Sequence, residues 1–257
     1  MNSNIIICIP FITLLLAIAI LPLLVPEFWL KNSNKTIVTA EITAPVFLFL
    51  YYHWPDELLK SIEEYIFFIL MIASLYIITG GISLSINLKA TPIANTFFLL
   101  AGAILANFIG TTGASMLLIR PLLKINRNRL YVKHILVFFI FLVANIGGLL
   151  SPLGDPPLFM GYLHGVPFSW NLCLFPYWLT VVGILLLIFY FGDRYFYYKE
   201  PKLPILKTQP QLLPLITLEG KINFLFLCGV IAAIFSQVSA PWREFIMLLM
   251  IGLSLLT

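Results

Sequence analysis

The chain has 257 residues, of which 61% are hydrophobic and only 10% charged, and its formal net charge is +4. A soluble domain carries about 25% charged residues, so this composition excludes a soluble enzyme or nucleic-acid binder and reads as an all-α, multi-spanning integral membrane protein. The few Lys and Arg fall in short clusters between apolar runs, where they report sidedness rather than a polyanionic partner.

Residues 5–25 supply about the 20 apolar residues one crossing needs. No positive charge precedes them, so they read as a retained first helix and not a secretory leader. Lys31 and Lys35 follow, then a second apolar run over 37–52. The next stretch holds Asp56, Glu57, Glu63 and Glu64 against Lys60 alone and is expected to be an external loop. A third helix is expected over 65–86, carrying Gly80-Gly81 and returning to Lys89.

Residues 90–119 carry no charge. Thirty residues are too many for one crossing and too few for two with a turn, about 40. Gly110-Thr111-Thr112-Gly113-Ala114-Ser115 lies near the middle, so a re-entrant hairpin over 90–119 with its tip there fits best. The following loop, with Arg120, Lys124, Arg127, Arg129 and Lys133, is expected to be cytoplasmic.

No Lys or Arg occurs between Lys133 and Arg194, yet this run contains Asn145-Ile146-Gly147-Gly148-Leu149-Leu150-Ser151-Pro152-Leu153-Gly154-Asp155-Pro156-Pro157. Pro removes ladder donors and Gly weakens helix interiors. A helix broken at membrane depth is tolerated only where protein or a water-lined cavity satisfies the freed groups. An unwound helix over 131–163 is therefore expected, followed by a helix over 171–192 that ends in an aromatic and basic belt, Arg194 to Lys199. Residues 199–221 read as a cytoplasmic linker with four prolines, and 222–257 as the opening of another set of crossings.

Residues 1–198 hold an odd number of crossings on this reading. A second unit of the same design would then insert inverted, as in many secondary transporters. The chain reads as a first repeat plus a fragment of a second. Its partners on this reading are the lipid bilayer and a second half-chain or second copy of itself.

Asp155 is the only acidic residue between Glu64 and Asp193, and an intramembrane carboxylate is a functional candidate by default. It could bind Na⁺ or carry H⁺, or it could simply cap the half-helix that starts at Pro156. Asn145, Gly147, Gly148 and Ser151 surround the end of the preceding half-helix, whose unpaired carbonyls suit a hard cation. Thr111, Thr112 and Ser115 at the hairpin tip offer further oxygens, or hydrogen bonds to a carboxylate substrate. The competing reading of such hydroxyls is helix packing or back-bonding. Arg120 reads as a positive-inside anchor. His134 and His164 could relay protons, but read first as interfacial or backbone-bonded residues. Cys8, Cys173 and Cys228 read as small buried hydrophobes. Metal-ligand spacing, a nucleophile motif and a phosphate loop are lacking, so neither an enzyme nor a cofactor is expected.

Gly110 to Pro121, then Asn145-Ile146-Gly147-Gly148 and Ser151-Pro152-Leu153-Gly154-Asp155-Pro156-Pro157-Leu158-Phe159, resemble the bacterial family of sodium:proton antiporters and citrate transporters. That family belongs to the ion transporter superfamily, whose relatives include arsenite efflux, NhaD-type and dicarboxylate symporter families. The resemblance extends to Ile9-Pro10-Phe11 and Gly165-Val166-Pro167-Phe168. It implies an inverted-repeat transporter with substrate and ion between hairpin and broken-helix tips. One departure is that Asn107-Phe108-Ile109-Gly110 carries no acid where arsenite-type relatives have Asp-Asn. The expected activity is Na⁺/H⁺ antiport in the inner membrane, with cation- or proton-coupled transport of citrate or another carboxylate as the alternative. A truncated fragment that transports nothing is the expectation from another class.

Overall fold

The computed structural model describes residues 3–201, 216–235 and 241–257. Among them four helical segments are long and apolar enough to cross a membrane, Pro55–Gly80, Pro92–Ile125, Lys133–Leu150 and Phe168–Lys199, with Cys8–Leu24 and Ile222–Ile234 as shorter apolar helices. The protein is thus an all-α, multi-pass membrane protein. It divides into two compact units, Met1–Ile66 and Phe67–Thr257.

In the first unit, α1 (Ser3–Leu24), α2 (Pro26–Leu30) and α3 (Asn32–His53) pack on one another. No residue of α2 or α3 is buried, as suits helices whose solvent is lipid. Helix α4 (Pro55–Gly80) begins earlier than the sequence reading has it. The acidic stretch is its first turns, not a loop. Pro55 fits the first helical position, and Asp56 and Glu57 complement the positive end of the helix dipole.

The same helix ends at Gly80, and Ser83–Ile86 forms a short strand, β1, instead of continuing it. β1 pairs antiparallel with β2 (Ile216–Glu219), in register Ser83↔Glu219 to Ile86↔Ile216. The expected linker therefore contributes a strand at its end, and its residues 202–215 lie outside the described ones.

Helix α5 (Pro92–Ile125) is two helical legs joined at Gly110, where φ is 77° and ψ is 155°. It folds back on itself there. Asn95 and Asn126 exchange two side-chain hydrogen bonds of 2.9 and 3.0 Å, although 31 residues of straight helix would hold them about 46 Å apart. Gly102 likewise lies against Leu118, whose Cδ1 would stand 3.0 Å from an added Cβ. Ala103, Ala106 and Ala114 are fully buried between the legs and their neighbours, the small-residue packing that lets membrane helices approach closely. The hairpin is longer than 90–119. Thr91 caps it by accepting from the Ala94 N–H at 3.3 Å, and its second leg runs past Arg120-Pro121 to Ile125, because a charge marks the edge of the apolar layer and not the end of a helix.

Helix α6 spans Lys133–Leu142. The chain passes through a 3-10 turn (Ile146–Leu150) and a further turn over 152–154 before α7 (Pro156–Leu163). A second 3-10 turn (Phe168–Leu174) leads into α8 (Phe175–Lys199), and α9 (Ile222–Phe235) and α10 (Trp242–Leu256) close the described chain. The core of the second unit draws on all of these helices, with Ile78, Leu99, Leu142, Phe159, Val230 and Met247 fully buried. The three cysteines are exposed, contrary to the sequence reading. In a membrane chain an apolar environment can be lipid instead of core, and sequence does not separate the two.

Candidate functional site

The hairpin tip and the helix break meet. The Thr111 N–H, freed by the reversal at Gly110, donates to the Gly154 carbonyl at 3.1 Å. Asn107, one turn before the tip, accepts from the Leu150 N–H through Oδ1 at 2.9 Å, and its own carbonyl accepts from the Ser151 hydroxyl. The Ser151 hydroxyl in turn accepts from the Gly154 N–H at 3.1 Å. On the far side the indole N–H of Trp178 on α8 donates to the Gly147 carbonyl at 3.2 Å. Two interrupted backbones thus satisfy each other, as an interruption at membrane depth requires.

Glycine is needed where these chains cross. A Cβ on Gly148 would stand 2.6 Å from the Gly154 carbonyl carbon and 2.7 Å from Thr111 Cγ2, and one on Gly154 would overlap the Gly148 carbonyl. Gly110 needs its freedom for a positive φ.

The residues singled out in the sequence separate into groups. Thr111, Thr112 and Ser115 line an open groove of about 480 Å³ with Tyr76, Met116 and Ala144, the neighbour of Asn145. Ser115 Oγ is buried and has no hydrogen-bond partner among the described residues. Asn145 is exposed; its carbonyl accepts from the Gly148 N–H at 3.2 Å. Ser151 lies on another wall, lining a largely apolar cavity of about 540 Å³ with Asn107 and Trp178. Asp155 is half-buried at the N-cap of α7, between Gly154 and Pro156, and its carboxylate makes no capping hydrogen bond. Only its backbone carbonyl serves the helix, accepting from Leu158 and Phe159 at 3.0 and 3.1 Å.

At the other end of the hairpin lies a charged network that the sequence reading missed. Asp193 on α8 is fully buried and accepts from Arg129, from His134 at 2.9 Å and from Asn95 at 3.0 Å. Arg129 also reaches Glu200 at 3.3 Å and packs over the Tyr197 ring. His134 stacks on Phe196 with centroids 4.7 Å apart, and its ring bonds the Asp193 carboxylate where the sequence reading offers an interfacial or backbone-bonded residue. His164 does bond backbone, to the Met160 carbonyl at 2.8 Å. The reciprocal amides of Asn95 and Asn126 join both hairpin legs to this cluster. A polar signal existed, since Asn95, Asn126 and Asp193 interrupt or bound apolar helices, but their partners are far away in sequence.

Chemically, the tip offers neutral oxygens and hydroxyls around a groove, and the root is a buried ionic anchor in which Arg129 Nη2 alone lacks a hydrogen-bond partner among the described residues. No curated protein and no solved structure matches the chain. A family model described as "Putative citrate transport" matches residues 1–255. The chain belongs to that family and is a membrane transporter.

Proposed function

We propose that this protein is a secondary transporter that carries a small carboxylate of the citrate class together with a cation. The observation behind this reading is the groove at the hairpin tip, about 480 Å³, where the hydroxyl side chains of Tyr76, Thr111, Thr112 and Ser115 stand among apolar ones with no Lys or Arg. Hydroxyls donate well to carboxylate oxygens, and Ser115 Oγ, buried at the groove wall, has no competing partner among the described residues. A multiply charged anion is costly to hold in such a place unless a cation accompanies it. Coupling to Na⁺ or H⁺ provides that charge. The carbonyl end at Asn145, Gly147 and Gly148, together with Asp155, is the proposed cation side of the site, and Thr111, Thr112 and Ser115 the carboxylate side.

Ser151 contributes chiefly by fastening the break to Asn107, with one lone pair left for an ion. In this reading residues 1–198 act as a first repeat and 199–221 as a linker. Residues 222–257 begin a second repeat. The proposed location is the inner membrane.

Na⁺/H⁺ antiport is the second reading, and Asp155 favours it: a half-buried carboxylate at a helix N-cap that does not use its side chain to cap. Liposomes loaded with a pH-sensitive dye separate the two. Uptake of labelled citrate driven by a Na⁺ or H⁺ gradient supports the carboxylate carrier, and a Na⁺-driven pH change without citrate supports the antiporter. Ser115→Ala should raise the half-saturating citrate concentration about tenfold, as expected for a charge-assisted hydrogen bond of about 1.5 kcal/mol. Asp155→Asn should abolish coupling in either reading while leaving insertion intact. Unchanged coupling in that variant would remove Asp155 from the site.

A further inference from the structure

Apart from the tip, the basic side of the second unit holds a second polar cavity. It measures about 180 Å³ and lies where the end of α4 and strand β1 pack against the second leg of α5. Arg120 and Lys124 are four residues apart and so share one face of that leg. Ser83 and Ser85 are two apart and so share one face of β1. All four line this one cavity. The remaining wall is partly apolar, through Leu84 and Met116.

Two cations and two hydroxyls converge here without a carboxylate in the lining. Among the described residues no ion pair engages Arg120 or Lys124. Three of the carbonyls at the end of α4, which would repel an anion, are occupied: those of Ile77 and Ile78 accept from the Gly81 N–H, and that of Thr79 accepts from the Ile82 N–H. The Gly81 carbonyl accepts from Asn223 of α9 at 3.1 Å. A cation that served only to anchor the helix would need water or headgroups at its tip, not a strand with its hydroxyls on the same face.

We propose that this cavity binds a phosphate-bearing anion. The guanidinium fork matches phosphate oxygens two at a time, the ammonium adds a point charge, and the serines donate to what remains. Basic pockets at the inner edge of membrane helices are suited to the headgroups of anionic lipids, and the apolar part of the wall would lie along the start of an acyl chain or glycerol. A soluble phosphate compound presents the same chemistry. In either case an occupant bridges α4, β1 and the hairpin leg, tying the leg that carries Thr111, Thr112 and Ser115 to its neighbours.

The test uses the full chain purified in detergent. Native mass spectrometry counts phosphatidylglycerol and phosphatidylcholine molecules retained by the wild type, by Arg120→Gln/Lys124→Gln, and by Arg127→Gln/Lys133→Gln. The last pair removes two exposed cations from the same side but outside the cavity. A parallel arm measures thermal stability in inorganic phosphate against chloride at equal ionic strength. The expected result is phosphatidylglycerol retained at least tenfold over phosphatidylcholine, or a phosphate-specific rise in stability. Either effect should be lost in the Arg120/Lys124 variant and kept in the Arg127/Lys133 variant. The first effect identifies a lipid and the second a soluble phosphate. Equal losses in the two double variants, or no loss in either, would overturn the proposal, as would a wild type that shows neither effect.

Discussion

Asp193→Asn removes one charge from the most deeply buried ionic cluster among the described residues and keeps its shape. Arg129 has only 3% of its side chain exposed and Asp193 none, so neither can exchange its partner for water. Breaking such a pair costs about 3–5 kcal/mol, because the surviving charge stays buried. Glu200 offsets part of this for Arg129, as its carboxylate lies 3.3 Å from Nε with 14% of its side chain exposed. Asp193→Asn should therefore fall near the low end of that range. Arg129→Met, which strands a buried carboxylate with only His134 and Asn95 beside it, should fall near the high end. The double variant Arg129→Met/Asp193→Asn removes both charges and keeps the amide contact to Asn95, so it should be less destabilised than Arg129→Met alone. Apparent unfolding free energies from detergent titration in mixed micelles measure all three. A double variant whose loss equals the sum of the single losses would refute the pairing argument, and so would an Asp193→Asn loss below about 0.5 kcal/mol.

Two further outcomes concern the tip. Gly154→Ala would drive a methyl group into the Gly148 carbonyl, and overpacking of this kind costs about 1–3 kcal/mol; Gly183→Ala, with nothing within 4 Å of the new carbon, should be neutral or stabilising in the same titration. Asn107→Leu leaves the Leu150 N–H without its acceptor and should cost about 1–3 kcal/mol. It should also lower transport more than Thr180→Ala, whose hydroxyl merely back-bonds to Pro176 at 2.8 Å.

Interruptions were legible in the sequence because they are local. Gly and Pro at 145–157 break a helix whatever surrounds them, and an uncharged run of thirty residues with a Gly-Thr-Thr-Gly centre fits a fold-back better than a crossing. Pairings were not legible. Asn107 reads as one polar residue in an apolar helix, and only the fold brings Leu150 and Ser151 to it. Asp193 reads as the edge of a span, yet it is the centre of a network drawn from Asn95, Arg129 and His134. Strand β1 was hidden because Ser83–Ile86 has no amphipathic run long enough to announce it, and its partner strand lies more than a hundred residues away. The early start of α4 was hidden for a different reason: acidic residues that mark a loop in a hydropathy reading are also those that favour a helix N-terminus.

The two ends of the hairpin are held by different physics, and the difference matters for a transporter. At the root, buried charges and fully satisfied amides make any separation expensive, because each group would have to be abandoned in a dry place. At the tip, the bonds from Thr111 to Gly154, from Leu150 to Asn107 and from Ser151 to Asn107 are neutral, and each contributes on the order of 1 kcal/mol net. Of these groups Thr111 lines the open groove, which a polar ligand or water could enter, while Asn107, Leu150 and Ser151 border the largely apolar cavity. Exchanging one such bond for a bond to a carboxylate or an ion costs little. Exchanging the root contacts has no comparable substitute. Binding at the groove can therefore rearrange the tip while the root keeps the two legs together, which is the division of labour a carrier needs if its site is to open without the hairpin coming apart.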